Sequence, residues 1–164
     1  MKHIIESLSG HANEYIRCLA GSHPLRKPVI YAMLDFLSLR GKGLDVGCGI
    51  GLPAVEMAQK GLDVAGLDSE AQFIEITEGI AGKLKLKNSP VFVQGHADRL
   101  EFENNCFDWV WSMDCVNYAK DLNDTPLSEM KRVVKPGGRL ILSAWSSQML
   151  LPGYIQPGLP GKHG

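Results

Sequence analysis

The chain has 164 residues, of which 45% are hydrophobic and 21% are charged, a composition typical of one globular domain. Its 17 lysines and arginines nearly balance 18 aspartates and glutamates, so no large cationic surface is available for nucleic acid. The N-terminus lacks the apolar run of a signal peptide, and no stretch approaches the roughly 20 apolar residues that span a bilayer. These features predict a cytoplasmic protein without a nucleic-acid partner or a membrane span.

The cysteine and histidine residues are too scattered to predict a metal site. None of the four cysteines forms a C-x-x-C pair. Four of the five histidines lie near a terminus or before a proline, and only His96 follows a predicted strand. We therefore predict neither a bound metal nor a disulfide framework.

Two helices are predicted before the first strand, within residues 11–39. In the first, apolar residues recur at helical spacing over 11–20, and His23-Pro24 ends the pattern. The second begins at Pro28 with an amphipathic stretch that stops before Gly41.

Strands and helices alternate over residues 44–145. The predicted strands are 44–46, 62–67, 91–93, 107–112 and 139–145. Three helices are predicted between the strands: one over 53–60, one that follows a capping-box pattern at Ser69 and Gln72, and one from 124 through 133. Residues 135–138 predict a sharp turn. This alternation is typical of an α/β fold with a doubly wound, mainly parallel sheet of about five strands and helices on both faces. We expect a domain over residues 1–150 and an irregular, Pro/Gly-rich tail over 151–164.

The strongest motif is the turn after the first strand, Leu44-Asp45-Val46-Gly47-Cys48-Gly49-Ile50-Gly51. Its alternating glycines let a ligand lie against the backbone at the carboxyl edge of the strand. Asp68 ends the second strand, where a carboxylate can accept hydrogen bonds from both hydroxyls of a ribose. Together these features predict a nucleoside-containing ligand. In the structural alternative, the glycines form only a tight connection and Asp68 only caps the next helix.

The spacing G-x-G-x-G and the motifs after it resemble the class I methyltransferases that use S-adenosylmethionine, of the small-molecule type related to ubiquinone and sterol methyltransferases. A dinucleotide fingerprint would instead need a glycine at Leu52. Asp68 is similar to the family's ribose-binding acid, and Phe107-Asp108-Trp109-Val110 to the strand that ends beside the methyl group. Residues 129–140 resemble the helix and turn before strand five. The resemblance covers residues 44–145.

The resemblance implies S-adenosyl-L-methionine as the cofactor. Asp45 would hold its amino group directly or through water, and Asp68 would bind its ribose. Further contacts are implied along the chain: Gly47, Gly49 and Gly51 beside the methionine and ribose, Ser69 near the ribose and adenine, His96, Ala97 and Asp98 at the adenine, and Ser112 and Met113 beside the sulfonium. Many relatives have an acid where His96 stands, so Asp98 is a second candidate for the adenine amino group.

The resemblance also implies a small-molecule methyl acceptor that attacks the cofactor's methyl group in line, and we identify no catalytic base. Candidates for the acceptor side are Tyr15, Asp114, Asn117 and Tyr118. Two other hypotheses stay open: a truncated or non-catalytic nucleoside-binding module, and an NAD-dependent oxidoreductase on a similar sheet.

The fifth predicted strand raises the question of an open sheet edge. Family members usually continue through two more strands, and the printed sequence ends before both. An uncovered apolar edge favours pairing with another chain, so we expect copies to associate through this strand.

Overall fold

The computed structural model describes residues 2–11, 13–115 and 125–143. The predicted tail, Asn117 and Tyr118 lie outside these residues. The elements in chain order are α1 (Lys2–Ser9), α2 (Glu14–Leu37), β1 (Lys42–Val46), α3 (Leu52–Gln59), β2 (Asp63–Asp68), α4 (Ala71–Leu84), β3 (Val91–Gln94), β4 (Phe107–Met113), α5 (Thr125–Val133) and β5 (Val134–Ser143). Within the described ranges, no helix is both long and apolar enough to cross a membrane.

The five strands form one parallel sheet in the order β3-β2-β1-β4-β5. The order reverses at β1, where Asp45 is in register with Gly66 of β2 and Trp111 of β4. In sheets of this kind, ligands bind outside the carboxyl ends of the strands at this reversal. The predicted doubly wound parallel sheet is thus confirmed, and Asp45 lies at its switch point.

Apolar side chains pack on both faces of the sheet. One cluster joins Trp109 and Trp111 to α2, α3 and α4, and the other joins Leu44 and Val110 to Met130 of α5. Because both faces are covered, the strands are apolar almost without alternation. The expectation of helices on both faces is also confirmed.

α2 continues through the position where a break was predicted. Both Pro24 and Pro28 lie inside it, so the prediction of two separate helices is wrong. A proline costs about 3 kcal/mol in a helix interior. Burial of Ile16, Ile30 and Leu34 offsets this cost, since each large aliphatic side chain contributes about 1.5–3 kcal/mol. Tertiary packing thus overrides local propensity.

The helix Lys2–Ser9 was not predicted from the sequence. Its apolar positions are Ile4, Ile5 and Leu8, and all three pack against the core cluster under α2. This helix is stabilised by its contacts with α2 rather than by its length, because eight residues are too few for a stable isolated helix.

Two local predictions are wrong. The capping box at Ser69 and Gln72 does not form, because α4 begins after Glu70, whose side chain makes no capping hydrogen bond. The predicted turn at 135–138 does not separate α5 from β5, because these residues lie within β5. They form an irregularity in the pairing of β5 with β4, between the pairs Phe107–Val134 and Trp109–Arg139. The φ of +77° at Gly137 accommodates the additional residues of β5 there.

Candidate functional site

The glycine loop, residues 47–51, connects β1 to α3. Gly47, Gly49 and Gly51 have φ of +75°, +55° and +69°, which side chains other than hydrogen disfavour. The amides of Gly47 and Cys48 both donate to the carbonyl of Leu67, at 2.8 and 3.0 Å. These hydrogen bonds hold the loop against the carboxyl end of β2.

Packing within the chain explains two of the three glycines. A Cβ at Gly47 would lie 2.3 Å from Sγ of Cys115, and a Cβ at Gly51 would lie 1.9 Å from Cγ2 of Thr77. At Gly49, the nearest atom is a methyl carbon of Leu19 at 3.4 Å. Gly49 therefore leaves the most room for a ligand, and the cofactor contacts of all three glycines stay predictions.

Asp68 binds both the glycine loop and the start of α4. Its Oδ2 accepts a hydrogen bond from the amide of Gly49 at 2.8 Å, and its Oδ1 accepts one from the amide of Glu70 at 3.1 Å. Each carboxylate oxygen has a further lone pair, and the side chain is partly exposed. The two readings of Asp68 are therefore compatible: it orders the helix start and retains acceptor capacity for a ribose.

Asp45 is a buried carboxylate at the switch point. It is 2% exposed, and its Oδ2 has no hydrogen-bond partner among the residues that the structure describes. Burial, and to a smaller extent the charge of Asp68, raise the pKa of Asp45 to about 7. A buried carboxylate without a partner is costly, so this position suits a bound cation.

The end of β3 brings a third group of predicted residues to the same edge. The amide of Gly95 donates to the carbonyl of Asp68 at 2.9 Å, and Nε2 of Gln94 donates to the carbonyl of Ser69 at 3.1 Å. His96 and Asp98 are exposed, whereas Ala97 packs against the cluster on the α5 face. These residues follow β3 at the carboxyl edge of the sheet, and their adenine contacts stay predictions.

Ser112 and Met113 lie at the end of β4. The hydroxyl of Ser112 is buried and donates to the carbonyl of Val46 at 3.0 Å, which joins the ends of β4 and β1. Met113 packs against the α2 face of the core. A role beside a sulfonium stays a prediction for both residues.

The N-terminal half of α2 lies over the glycine loop and the start of α4. The ring of Tyr15, 53% exposed, stacks on Phe73 with centroids 5.7 Å apart. One turn further, Leu19 approaches Gly49. α2 therefore covers part of the site that the glycines and acids form.

Arg26 connects α2 to the end of β4. Its Nη1 lies 3.4 Å from Oδ2 of Asp114, and both side chains are largely shielded from solvent. Asp114 has φ of +59°, and its amide donates to the carbonyl of Ser143 at 2.9 Å. Asp114 is thus held beside the ends of β4 and β5, on the side predicted for the acceptor.

A buried cluster anchors α2 to α3. The carboxylate of Glu56 is 0% exposed and lies 3.0 Å from both Nε2 of His23 and Nζ of Lys27, and it accepts a hydrogen bond from the hydroxyl of Tyr31. Burial opposes its ionisation, but the hydrogen bonds from His23, Tyr31 and Lys27 together lower the pKa of Glu56 to about 2. The cluster fixes α2 on the helix that begins at the glycine loop.

The sequence reasoning missed four residues beside the site. Cys115 and Thr77 give no local signal, because their importance comes from contacts with Gly47 and Gly51. Leu19 and Arg26 lie seven residues apart on α2, a spacing that returns to one face of a helix. That spacing would have found them had α2 been predicted as one helix.

A family model described as a methyltransferase domain matches residues 44–142. The sterol 24-C-methyltransferase ERG6 of Saccharomyces cerevisiae is 37% identical over 103 residues, which are 62% of this chain and 27% of that protein. The chain thus spans about a quarter of the length of the sterol methyltransferases that it matches.

Two solved structures share the fold. Phosphoethanolamine N-methyltransferase 2 of Haemonchus contortus, solved with S-adenosyl-L-methionine, is 32% identical with a TM-score of 0.64, over 70% of this chain and 27% of that one. The [4+2]-cyclase SpnF is 28% identical with a TM-score of 0.65, over 70% of this chain and 43% of that one. Since the family match extends from β1 into β5 and covers more than half of the sequence, the chain belongs to the methyltransferase domain family.

Proposed function

We propose that this chain binds S-adenosyl-L-methionine and transfers its methyl group to a small molecule. The observation that carries the proposal is the pair of carboxylates beside the glycine loop: Asp45, buried and without a hydrogen bond at Oδ2, and Asp68, which binds the amide of Gly49. The family match and the neighbour solved with this cofactor support it.

The residues of the loop fit this cofactor. The α-ammonium group of the cofactor would be the cation that Asp45 lacks. The ribose hydroxyls of the cofactor would donate to the remaining lone pairs of Asp68. When bound, the cofactor would supply a methyl group on a positively charged sulfur. An acceptor would attack this methyl group in line, with the sulfur as the leaving group. The chain itself binds and orients the cofactor and the acceptor and excludes water from between them. Fixing this geometry lowers the barrier to the transfer.

We extend the proposal to the remaining predicted contacts. Ser69, His96, Ala97 and Asp98 form the nucleoside side, because β2 and β3 end there and Gly95 is bonded to Asp68. The acceptor side lies under α2, where Tyr15 covers Phe73 and Arg26 holds Asp114. The sterol and phosphoethanolamine relatives differ in acceptor, so the proposed class is small molecules in general.

Binding tests the cofactor assignment. In calorimetric titrations, Asp68→Asn is expected to weaken S-adenosylhomocysteine binding at least ~10-fold, because hydrogen bonds to a charged acceptor are each worth about 1.5–3 kcal/mol. Asp63→Asn is the matched control, since Asp63 is exposed at the opposite end of the same strand. Unchanged binding in Asp68→Asn, or selective binding of NADH, contradicts the assignment.

A second candidate function is binding of the nucleoside without methyl transfer. It is favoured by the similarity to a [4+2]-cyclase, whose name describes a different reaction on this fold. Transfer of a radiolabelled methyl group across a panel of amine, hydroxyl, thiol and carbon acceptors separates the two functions. Turnover with any acceptor excludes the second candidate.

We further propose that copies of the chain associate through β5. Leu142 on this strand is 44% exposed, and an apolar strand edge favours pairing. Light scattering over a range of concentrations is expected to show a dimer, and Leu142→Lys is expected to weaken it. A monomer at high concentration contradicts this proposal. The cytoplasmic location stays a prediction from the sequence.

A further inference from the structure

Asp45 has no ion pair with any lysine, arginine or histidine that the structure describes. Its carboxylate is 2% exposed, and its Oδ2 has no hydrogen-bond donor within the same ranges. The indole Nε1 of Trp111, in register on β4, is also buried and has no acceptor among the described residues. Neither bulk solvent nor any residue that the structure describes therefore stabilises a negative charge at Oδ2.

The ionisable groups that face Asp45 do not supply a positive charge either. From the end of β2 it faces Asp68, another carboxylate. From the glycine loop and from the end of β4 it faces the thiols of Cys48 and Cys115. Burial raises the pKa of both thiols, for Cys115 to about 11, so they are neutral at pH 7.

The cations of α2 are engaged elsewhere. Arg17 donates to the carbonyl of His11, Arg26 pairs with Asp114 at the end of β4, and His23 and Lys27 both contact Glu56 on α3. The environment of Asp45 thus contains acids and neutral groups but no described cation in contact with it. Such an environment favours the protonated form of a carboxyl group.

We propose that cofactor binding releases a proton from the carboxyl group of Asp45. This inference rests on the proposed function, because the incoming cation is the α-ammonium group of the cofactor. On binding, the O–H bond of Asp45 breaks and its proton passes to the solvent. The ammonium group keeps its three protons and donates one of its N–H bonds to the carboxylate that results.

The pH range of the effect follows from the pKa of about 7 in the empty site. Below pH 7, binding has to remove the proton, so affinity is expected to fall about tenfold for each unit of decreasing pH. Just above this range, Asp45 is already ionised and affinity is expected to level off. Both statements refer to a ligand whose ammonium group stays protonated.

Calorimetry in several buffers measures the proton directly. We expect titration of the full chain with S-adenosylhomocysteine to release about half a proton at pH 7 and close to one at pH 6. The number follows from the dependence of the measured enthalpy on the ionisation enthalpy of phosphate, PIPES or imidazole, which buffer at both pH values. Asp45→Asn is expected to release none and to bind with an affinity independent of pH over this range.

Two controls identify the source of the proton. His96→Gln removes the imidazole at the nucleoside side; its affinity is expected to fall, while the number of protons released per bound ligand stays the same. Methylthioadenosine contains the nucleoside without the amino acid, and its binding to the unaltered chain is expected to release no proton. The second control also applies if Asp45→Asn does not fold, because it uses no variant at Asp45.

The outcomes separate this inference from the proposed function. Binding of S-adenosylhomocysteine without proton release overturns the inference and leaves the cofactor assignment intact. Equal release by Asp45→Asn, or by methylthioadenosine, also overturns it. Absence of any binding overturns the proposed function itself.

Discussion

Two carboxylates in this molecule are almost equally buried and have opposite surroundings. Glu56, between α2 and α3, is 0% exposed and has His23, Lys27 and Tyr31 as partners, whereas Asp45, at the end of β1, is 2% exposed and has no partner at Oδ2. The pKa is about 2 for Glu56 and about 7 for Asp45. The partners rather than burial alone decide the charge, and the carboxylate without partners is the one beside the glycine loop.

The largest expected effect is on stability. Glu56→Gln removes the negative charge that the buried His23 and the partly exposed Lys27 contact, and it is expected to destabilise the chain by about 1.5–3 kcal/mol, the usual worth of a hydrogen bond to a charged group. Asp45→Asn at pH 8 is expected to cost far less, because no described partner loses a contact. Urea unfolding of the two variants measures the difference. Equal losses of unfolding free energy in the two variants would show that Glu56 and Asp45 do not differ in their partners as described.

The second prediction concerns pH. The pKa of Asp45 is raised from 3.8 to about 7, so the folded state holds this proton more tightly, and its contribution to stability is lost as pH rises from about 4 to 7. The expected slope is at most about 1.4 kcal/mol per pH unit. Since the pKa of Glu56 is lowered to about 2, its contribution is present above about pH 4.5 and is lost as pH falls towards 2.

Unfolding at pH 5, 6, 7 and 8 tests this contrast. The difference between the unaltered chain and Asp45→Asn is expected to change across this range, in favour of the variant at higher pH. The loss of stability that comes from the ionisation of Glu56 itself lies below about pH 4.5, outside this range. A constant difference for Asp45→Asn would mean that this group is ionised throughout.

The smallest expected effect comes from one donor of the Glu56 cluster. Tyr31→Phe removes a hydroxyl but leaves His23 and Lys27 on the carboxylate, so the expected loss of stability is about 0.5–1.5 kcal/mol. Its affinity for S-adenosylhomocysteine is expected to equal that of the unaltered chain. A loss of affinity without a loss of stability would assign Tyr31 to the cofactor site instead.

The sequence predicts the sheet and the glycine loop well, because short apolar runs and glycine-rich turns are patterns of neighbouring residues. It does not predict the continuity of α2, which depends on the packing of Ile16, Ile30 and Leu34 against distant elements. Ser69 and Gln72 match a capping box, but Asp68 supplies the hydrogen bond to the helix start. The capping-box pattern is present in the sequence, but the carboxylate of Asp68, one residue before Ser69, accepts the hydrogen bond from the amide of Glu70.

The two carboxylates differ in the same way. The motif that contains Asp45 predicts its position at the site, although no pattern reveals that its Oδ2 lacks a partner. Glu56 gives no signal at all, since its three partners lie 25 to 33 residues earlier on another helix. Both properties belong to the folded chain, where elements distant in sequence come into contact.

The prolines of α2 have a mechanical consequence. Pro24 lies between Leu19, which approaches Gly49, and Lys27, which binds Glu56. Because proline has no N–H, the carbonyl of Ala20 receives no helical hydrogen bond from residue 24. Bending at this turn breaks one hydrogen bond fewer than elsewhere in the helix. α2 is therefore less stiff at residues 20–24, the turn between Leu19 over the glycine loop and Lys27 on Glu56, and His23 within this turn also contacts Glu56.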